Sequence, residues 1–105
     1  MKYKEFLEYM EQNLDSYHTF MAKALQYQRS RNARRPAKSR WKDEKIEKAS
    51  YEMWKASMEP LYNNIRNEVK SDFPAAWTAF IDKNNIMEIV NDGIREMDFS
   101  EDAIA

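Results

Sequence analysis

The sequence predicts an all-α protein: an antiparallel pair of long helices with one or two shorter C-terminal helices packed across it, a three- or four-helix bundle. Three observations predict it. The 105 residues include one glycine and three prolines, too few for the special backbone geometry that the turns of a hairpin-rich β protein need. Glu, Lys, Met, Ala and Gln are abundant, and all of them cost little in a helix. An apolar heptad seam also runs without interruption through the first 28 residues.

That seam is Tyr3, Leu7, Met10, Leu14, Tyr17, Met21, Ala24 and Gln28, with spacings alternating between four and three. Phe6, Phe20 and Tyr27 widen it on one side and Leu25 on the other. A stripe this broad suits packing between two neighbours in a bundle better than a two-stranded coil. Glu5, Glu8, Glu11 and Asp15 load the first half with negative charge and Lys23 and Arg29 close the second, the order that the helix dipole favours. One continuous helix over residues 2–30 is predicted. Tyr3, Leu7, Met10, Leu14, Tyr17 and Met21 are its candidate face toward a partner helix.

Residues 29–40 form a basic connector with Pro36 and no large apolar side chain. Such a stretch cannot bury itself, and the residue before proline is pushed away from helical geometry. A second long helix is predicted over 41–70, with Ile46, Met53, Trp54, Met58, Leu61, Ile65 and Val69 on its inner side. Pro60 predicts a kink or a break near Ser57, and the apolar face, which continues without changing side, favours the kink. Ser71-Asp72-Phe73-Pro74 reads as a stop followed by proline in the first turn of a third helix, 74–83. Ile86, Ile89, Val90, Ile94 and Met97 fit a fourth helix. The Asn91-Asp92-Gly93 run also fits a hairpin turn, but adjacent Ile89 and Val90 break strand alternation, so helix is favoured, with Gly93 as its C-cap or as a packing contact. The domain is placed at 1–99 and a disordered tail at 100–105.

Composition removes whole classes of chemistry. The chain has no cysteine, which leaves no disulfide, thiolate ligand or thiol nucleophile. No run approaches the roughly 18 apolar residues of a membrane span, and the N-terminus lacks the pattern of a signal peptide; the expected setting is cytoplasmic. His18 is the one histidine, read as an edge residue of the seam. Glu11, Asp15 and His18 share a helical face, yet a di-metal bundle site draws a histidine from each of two helices, so no metal, cofactor or catalytic residue is predicted. A glycine loop for phosphate is absent, and no small-molecule substrate is evident.

Charge is segregated along the chain. Between Arg29 and Lys48 nine basic residues face Asp43, Glu44 and Glu47, whereas from Met87 onward six acidic residues face Arg95 alone. Arg29, Arg31, Arg34, Arg35, Lys38, Arg40 and Lys42, with Trp41 among them, are the candidate binding residues for nucleic acid or an acidic partner, since cations neutralise phosphates and aromatics stack on unpaired bases. Their plainer reading is a solvated, charged connector. Three tryptophans and seven methionines serve either core filling or a partner surface. The function predicted is a non-catalytic helical interaction module (adaptor, regulator or inhibitor) acting through apolar helix faces. A homodimer would cover the part of the seam left open. The alternative is a nucleic-acid-binding accessory protein using residues 29–48; a metal-binding bundle or enzyme is a distant third.

Overall fold

The computed structural model describes residues 1–99, which form five helices with no strand among the described residues. They are α1 Tyr3–Asn13, α2 Tyr17–Ala33, α3 Asp43–Val69, α4 Pro74–Lys83 and α5 Ile86–Glu96, with a single 3-10 turn at Ala37–Ser39 between α2 and α3. The tail expected at 100–105 lies outside the described residues.

The long antiparallel pair is present as α2 and α3. Asn32 meets Trp41 at the connector end of the pair, and Tyr17 packs on Trp54 at the other. The predicted first helix, however, is two helices. Leu14 leaves helical geometry at φ −94°, ψ 111°, although Leu14-Asp15-Ser16 contains neither glycine nor proline. The cause is tertiary. The backbone N–H and the hydroxyl of Ser16 both donate to Asn91 Oδ1 of α5, at 3.0 and 2.5 Å. The bend takes α1 over α3 and against α4, where Phe6 packs on Trp77 with ring centroids 6.1 Å apart. A straight helix would carry Phe6 away from that contact.

α3 remains helical through Pro60, so of the two alternatives the break, the one not favoured, does not occur. Proline lies on the exposed side, and Met58, Leu61, Ile65 and Val69 keep one inner face. α3 ends on Lys70 in the left-handed region, φ 52°, a conformation usually left to glycine or asparagine. Pro74 opens α4 as predicted. Asn85 then turns the chain at φ 54° into α5, which resolves 86–96 as helix rather than hairpin. Gly93 is neither a C-cap nor a packing contact. It lies inside α5, and a methyl group added there would meet no atom within 4 Å. The true end of α5 is capped from α2: Lys23 Nζ donates to the carbonyls of Ile94, Arg95 and Met97 at 2.9, 3.2 and 2.9 Å, placing a cation on the negative end of the helix dipole.

The core joins all five helices. Phe6, Met10, Phe20, Trp54, Trp77, Ile65, Ile81 and Ile94 are almost fully enclosed. One aromatic group is Tyr3, Phe6, Tyr62 and Trp77; a second is Tyr17, Phe20, Trp54 and Phe99. Aromatics bury large areas per residue, which is how a chain of this size closes a core without disulfides. Met1 is fastened by its amino group to the Asp72 carbonyl and through its own carbonyl to the Tyr62 hydroxyl. The C-terminal half of α2 and the first turns of α3 project beyond this core. The radius of gyration is therefore 15.8 Å, against about 13 Å for a compact chain of about 100 residues.

Candidate functional site

The seam offered as a partner face is mostly spent inside the chain. Leu7, Met10 and Leu14 are buried, and Tyr3, Tyr17 and Met21 are half-buried against the same core. The physical reason is the bend at Leu14: it lets one chain supply α3, α4 and α5 as neighbours to both halves of the seam. The seam's buried members are accordingly not open to an outside helix. Gln28, the polar residue at its end, is also enclosed, with Nε2 3.1 Å from Met53 Sδ.

Two surfaces lie outside the core. The first is the basic tip of the α2–α3 hairpin, and it is more ordered than a solvated connector. Arg29 and Arg31 belong to α2, so the irregular segment is shorter than 29–40. Asn32 holds the tip closed by pairing with both backbone polar groups of Trp41. Its Oδ1 also accepts from Arg35 Nη1 at 3.1 Å. The Arg35 guanidinium stands 3.7 Å from the centroid of the half-buried Trp41 ring, and Lys45 Nζ lies 4.6 Å from it, both within cation–π range. Arg40 donates to the carbonyls of Ala33 and Arg35, each at 3.2 Å, and so caps α2. Arg31 reaches the Tyr27 hydroxyl at 3.1 Å.

These guanidinium groups are held by neutral acceptors and rings, which fix their positions without cancelling their charge. Arg29, Arg31, Arg34, Lys38, Arg40 and Lys42 are exposed, while Arg35 is half-buried. The structure thus brings the predicted basic residues together at one end of the molecule. It does not leave Trp41 as a free stacking platform, because two cations of the same chain already occupy its ring. Asn32, which organises the tip, was not singled out by the sequence; its place between a helix end and Pro36 is the signal that could have found it.

The second surface is α5. Ile94 points into the core and Met87 and Val90 are half-buried. The apolar arc extends beyond what α2 and α4 cover: Ile89 is 62% exposed, Gly93 is exposed one turn on, and Met97 follows at the cap. Glu88, Asp92 and Glu96 border this arc on its outer side and are exposed. Asp92 pairs with Arg95 at 3.2 Å.

Glu11, Asp15 and His18 do not assemble. Glu11 accepts from the Tyr51 hydroxyl at 2.7 Å and from Trp54 Nε1 at 3.2 Å, while His18 is exposed with its ring 5.3 Å from that of Tyr17. Among the described residues no group of three His, Cys, Asp or Glu side chains is arranged to hold a metal ion. No helix among them is long and apolar enough to cross a membrane.

Burial raises the hydroxyl pKa of four tyrosines. Tyr3 is pushed up to about 12 by burial and by the nearby Glu59 carboxylate, and its hydroxyl donates to the Lys55 carbonyl. Tyr51 is raised by burial and by its hydrogen bond to Glu11, together with that carboxylate's charge. Tyr9 and Tyr17 are raised by burial and by Asp82 and Glu11 respectively. Of these four, the hydroxyls of Tyr3 and Tyr51 are hydrogen-bond donors within the fold. No family model, no curated protein and no solved structure matches this chain.

Proposed function

We propose that this chain is a non-catalytic helical interaction module, an adaptor, regulator or inhibitor, whose docking face is α5. The observation that carries the reading is the width of the α5 apolar arc. Ile89 is 62% exposed on a helix whose inner side already has its neighbours. Gly93 beside it carries no side chain, so another helix or strand could approach closely. The acidic border of Glu88, Asp92 and Glu96 suits a protein partner with an apolar groove edged by basic residues. The same reading takes the chain as cytoplasmic, since a small domain built without cysteine needs no oxidising compartment.

The test is paired affinity capture from cells of the source organism, using the wild type and Ile89→Glu as baits. A partner retained by the wild type and lost by the variant, with unchanged helicity, supports the reading. Identical captures by both baits count against it.

A second reading, nucleic-acid binding through the tip, is favoured by the neutral anchoring of Arg31, Arg35 and Arg40. Because the Trp41 ring is engaged, such binding would be made to phosphates rather than to stacked bases. It would weaken steeply with salt and distinguish little between sequences. Titration of labelled single- and double-stranded DNA at two salt concentrations, with and without Arg31→Glu and Arg40→Glu, decides that reading.

A further inference from the structure

We propose that the chain can form a domain-swapped dimer in which α1 and α2 merge into one continuous helix across residues 14–16, and each copy's α1 takes the other's place against α3 and α4. This is independent of what α5 or the tip binds. The sequence carries the heptad seam through the bend in register: Met10, Leu14, Tyr17 and Met21 keep the spacing of four, three and four, so a straight helix presents a single apolar face.

The backbone change is confined to the three residues between α1 and α2. Leu14 N–H bonds the Met10 carbonyl at 2.8 Å to end α1, Phe20 N–H bonds the Ser16 carbonyl at 2.9 Å to begin α2, and the bend between them is crossed by a turn bond from Tyr17 N–H to the Leu14 carbonyl at 3.1 Å. Ser16, at φ −83° and ψ 4°, reaches helical geometry by a change of about 45° in ψ. The marked departure is ψ of Leu14, 111°. The clamp that holds the bend is Asn91, through its two bonds from Ser16.

Straightening in a lone chain would strip Phe6 from Tyr62 and Trp77 and expose Leu7 and Met10, now buried, to water. An identical α1 from a second copy restores every one of those contacts, and the reciprocal exchange closes with two-fold symmetry. Short connections of this kind invite exchange. The partner is therefore a second copy of this chain, and the surface is the α1 site itself.

The test is light scattering after size exclusion, over roughly two decades of concentration, on the full chain refolded at high concentration. Dimer fraction should rise with concentration. Asn91→Ala, which removes the clamp, should tighten dimerisation by at least about tenfold. Asp15→Pro should abolish the dimer while keeping monomer helicity, because Leu14 already has the extended geometry that a following proline demands and a continuous helix cannot accept it. If Asp15→Pro fails to fold, Asp15→Gly replaces it and should lower dimerisation by at least about fivefold. A wild type and Asn91→Ala that both stay monomeric throughout overturn the proposal. So does a dimer insensitive to the hinge substitutions but lost with Ile89→Glu, which would be an ordinary surface dimer.

Discussion

Asn32 is bonded to Trp41 as one strand is bonded to another: its side-chain amide donates to the Trp41 carbonyl at 3.1 Å, and its oxygen accepts the Trp41 N–H at 2.8 Å. A single side chain thereby satisfies both backbone polar groups of a residue nine positions on and closes the α2–α3 hairpin. Asn32→Ala should cost about 1–3 kcal/mol, since both Trp41 groups lose their partner in a half-buried setting. Thermal unfolding should show it as a drop of several degrees. Asn32→Asp keeps the acceptor and loses the donor, and should fall between the two.

Lys23 places the end of α5. Its ammonium contacts the carbonyls of Ile94, Arg95 and Met97, and Phe99 then packs on Phe20 at 5.0 Å. Lys23→Met keeps the stem and removes the charge-assisted bonds. A loss of about 1–2 kcal/mol is expected, together with faster amide hydrogen exchange confined to the last turn of α5.

Two backbone positions are suboptimal and can be improved. Gly93 sits inside α5 with open space around it, so Gly93→Ala should stabilise by about 0.5–1 kcal/mol. Lys70 adopts φ 52°, and Lys70→Gly should likewise raise stability by up to about 1 kcal/mol. The two differ in consequence. If a partner helix approaches α5 closely, Gly93→Ala raises stability yet weakens docking, whereas Lys70→Gly leaves docking unchanged.

The tyrosines set an alkaline limit. Tyr3 ionises in the folded state at about 12 against an ordinary value of 10.0, and burial raises Tyr9, Tyr17 and Tyr51 as well. A folded pKa above the unfolded one means that the native state holds the proton more tightly. The stability so gained is complete below pH 10 and is lost as pH rises toward about 12. Tyrosinate absorbance and helicity should therefore change together across that window. Tyr3→Phe should soften the loss; an unchanged loss of helicity with pH in that variant would contradict the burial argument.

How much of this was legible in the sequence depends on whether the cause is local. The heptad rule identified Leu7, Met10, Leu14 and Ala24 as inward, and all are buried, because side-chain periodicity follows from helix geometry alone. Pro74 marked a real boundary, because its ring fixes its own backbone and suits the first turn of a helix. The break at Leu14 was not legible: Leu14-Asp15-Ser16 has no helix breaker, and the clamp on Ser16 is Asn91, seventy-five positions further on. Gly93 misled in the opposite direction. A glycine late in a helix suggests a cap, but the last turn is held by Lys23 from another helix. At the tip, composition located the charge but not the placing of Arg35 and Lys45 over the Trp41 ring, which the closing of the hairpin sets.

The proposed docking face is α5, not the heptad seam. Site-specific photo-crosslinking in cells tests it most directly, with the reactive residue placed at Ile89 and, as a control, at exposed Glu52 on α3. A discrete crosslinked product is expected from position 89, absent from position 52 and weakened by Gly93→Ala. Crosslinks from 52 and none from 89 would contradict it.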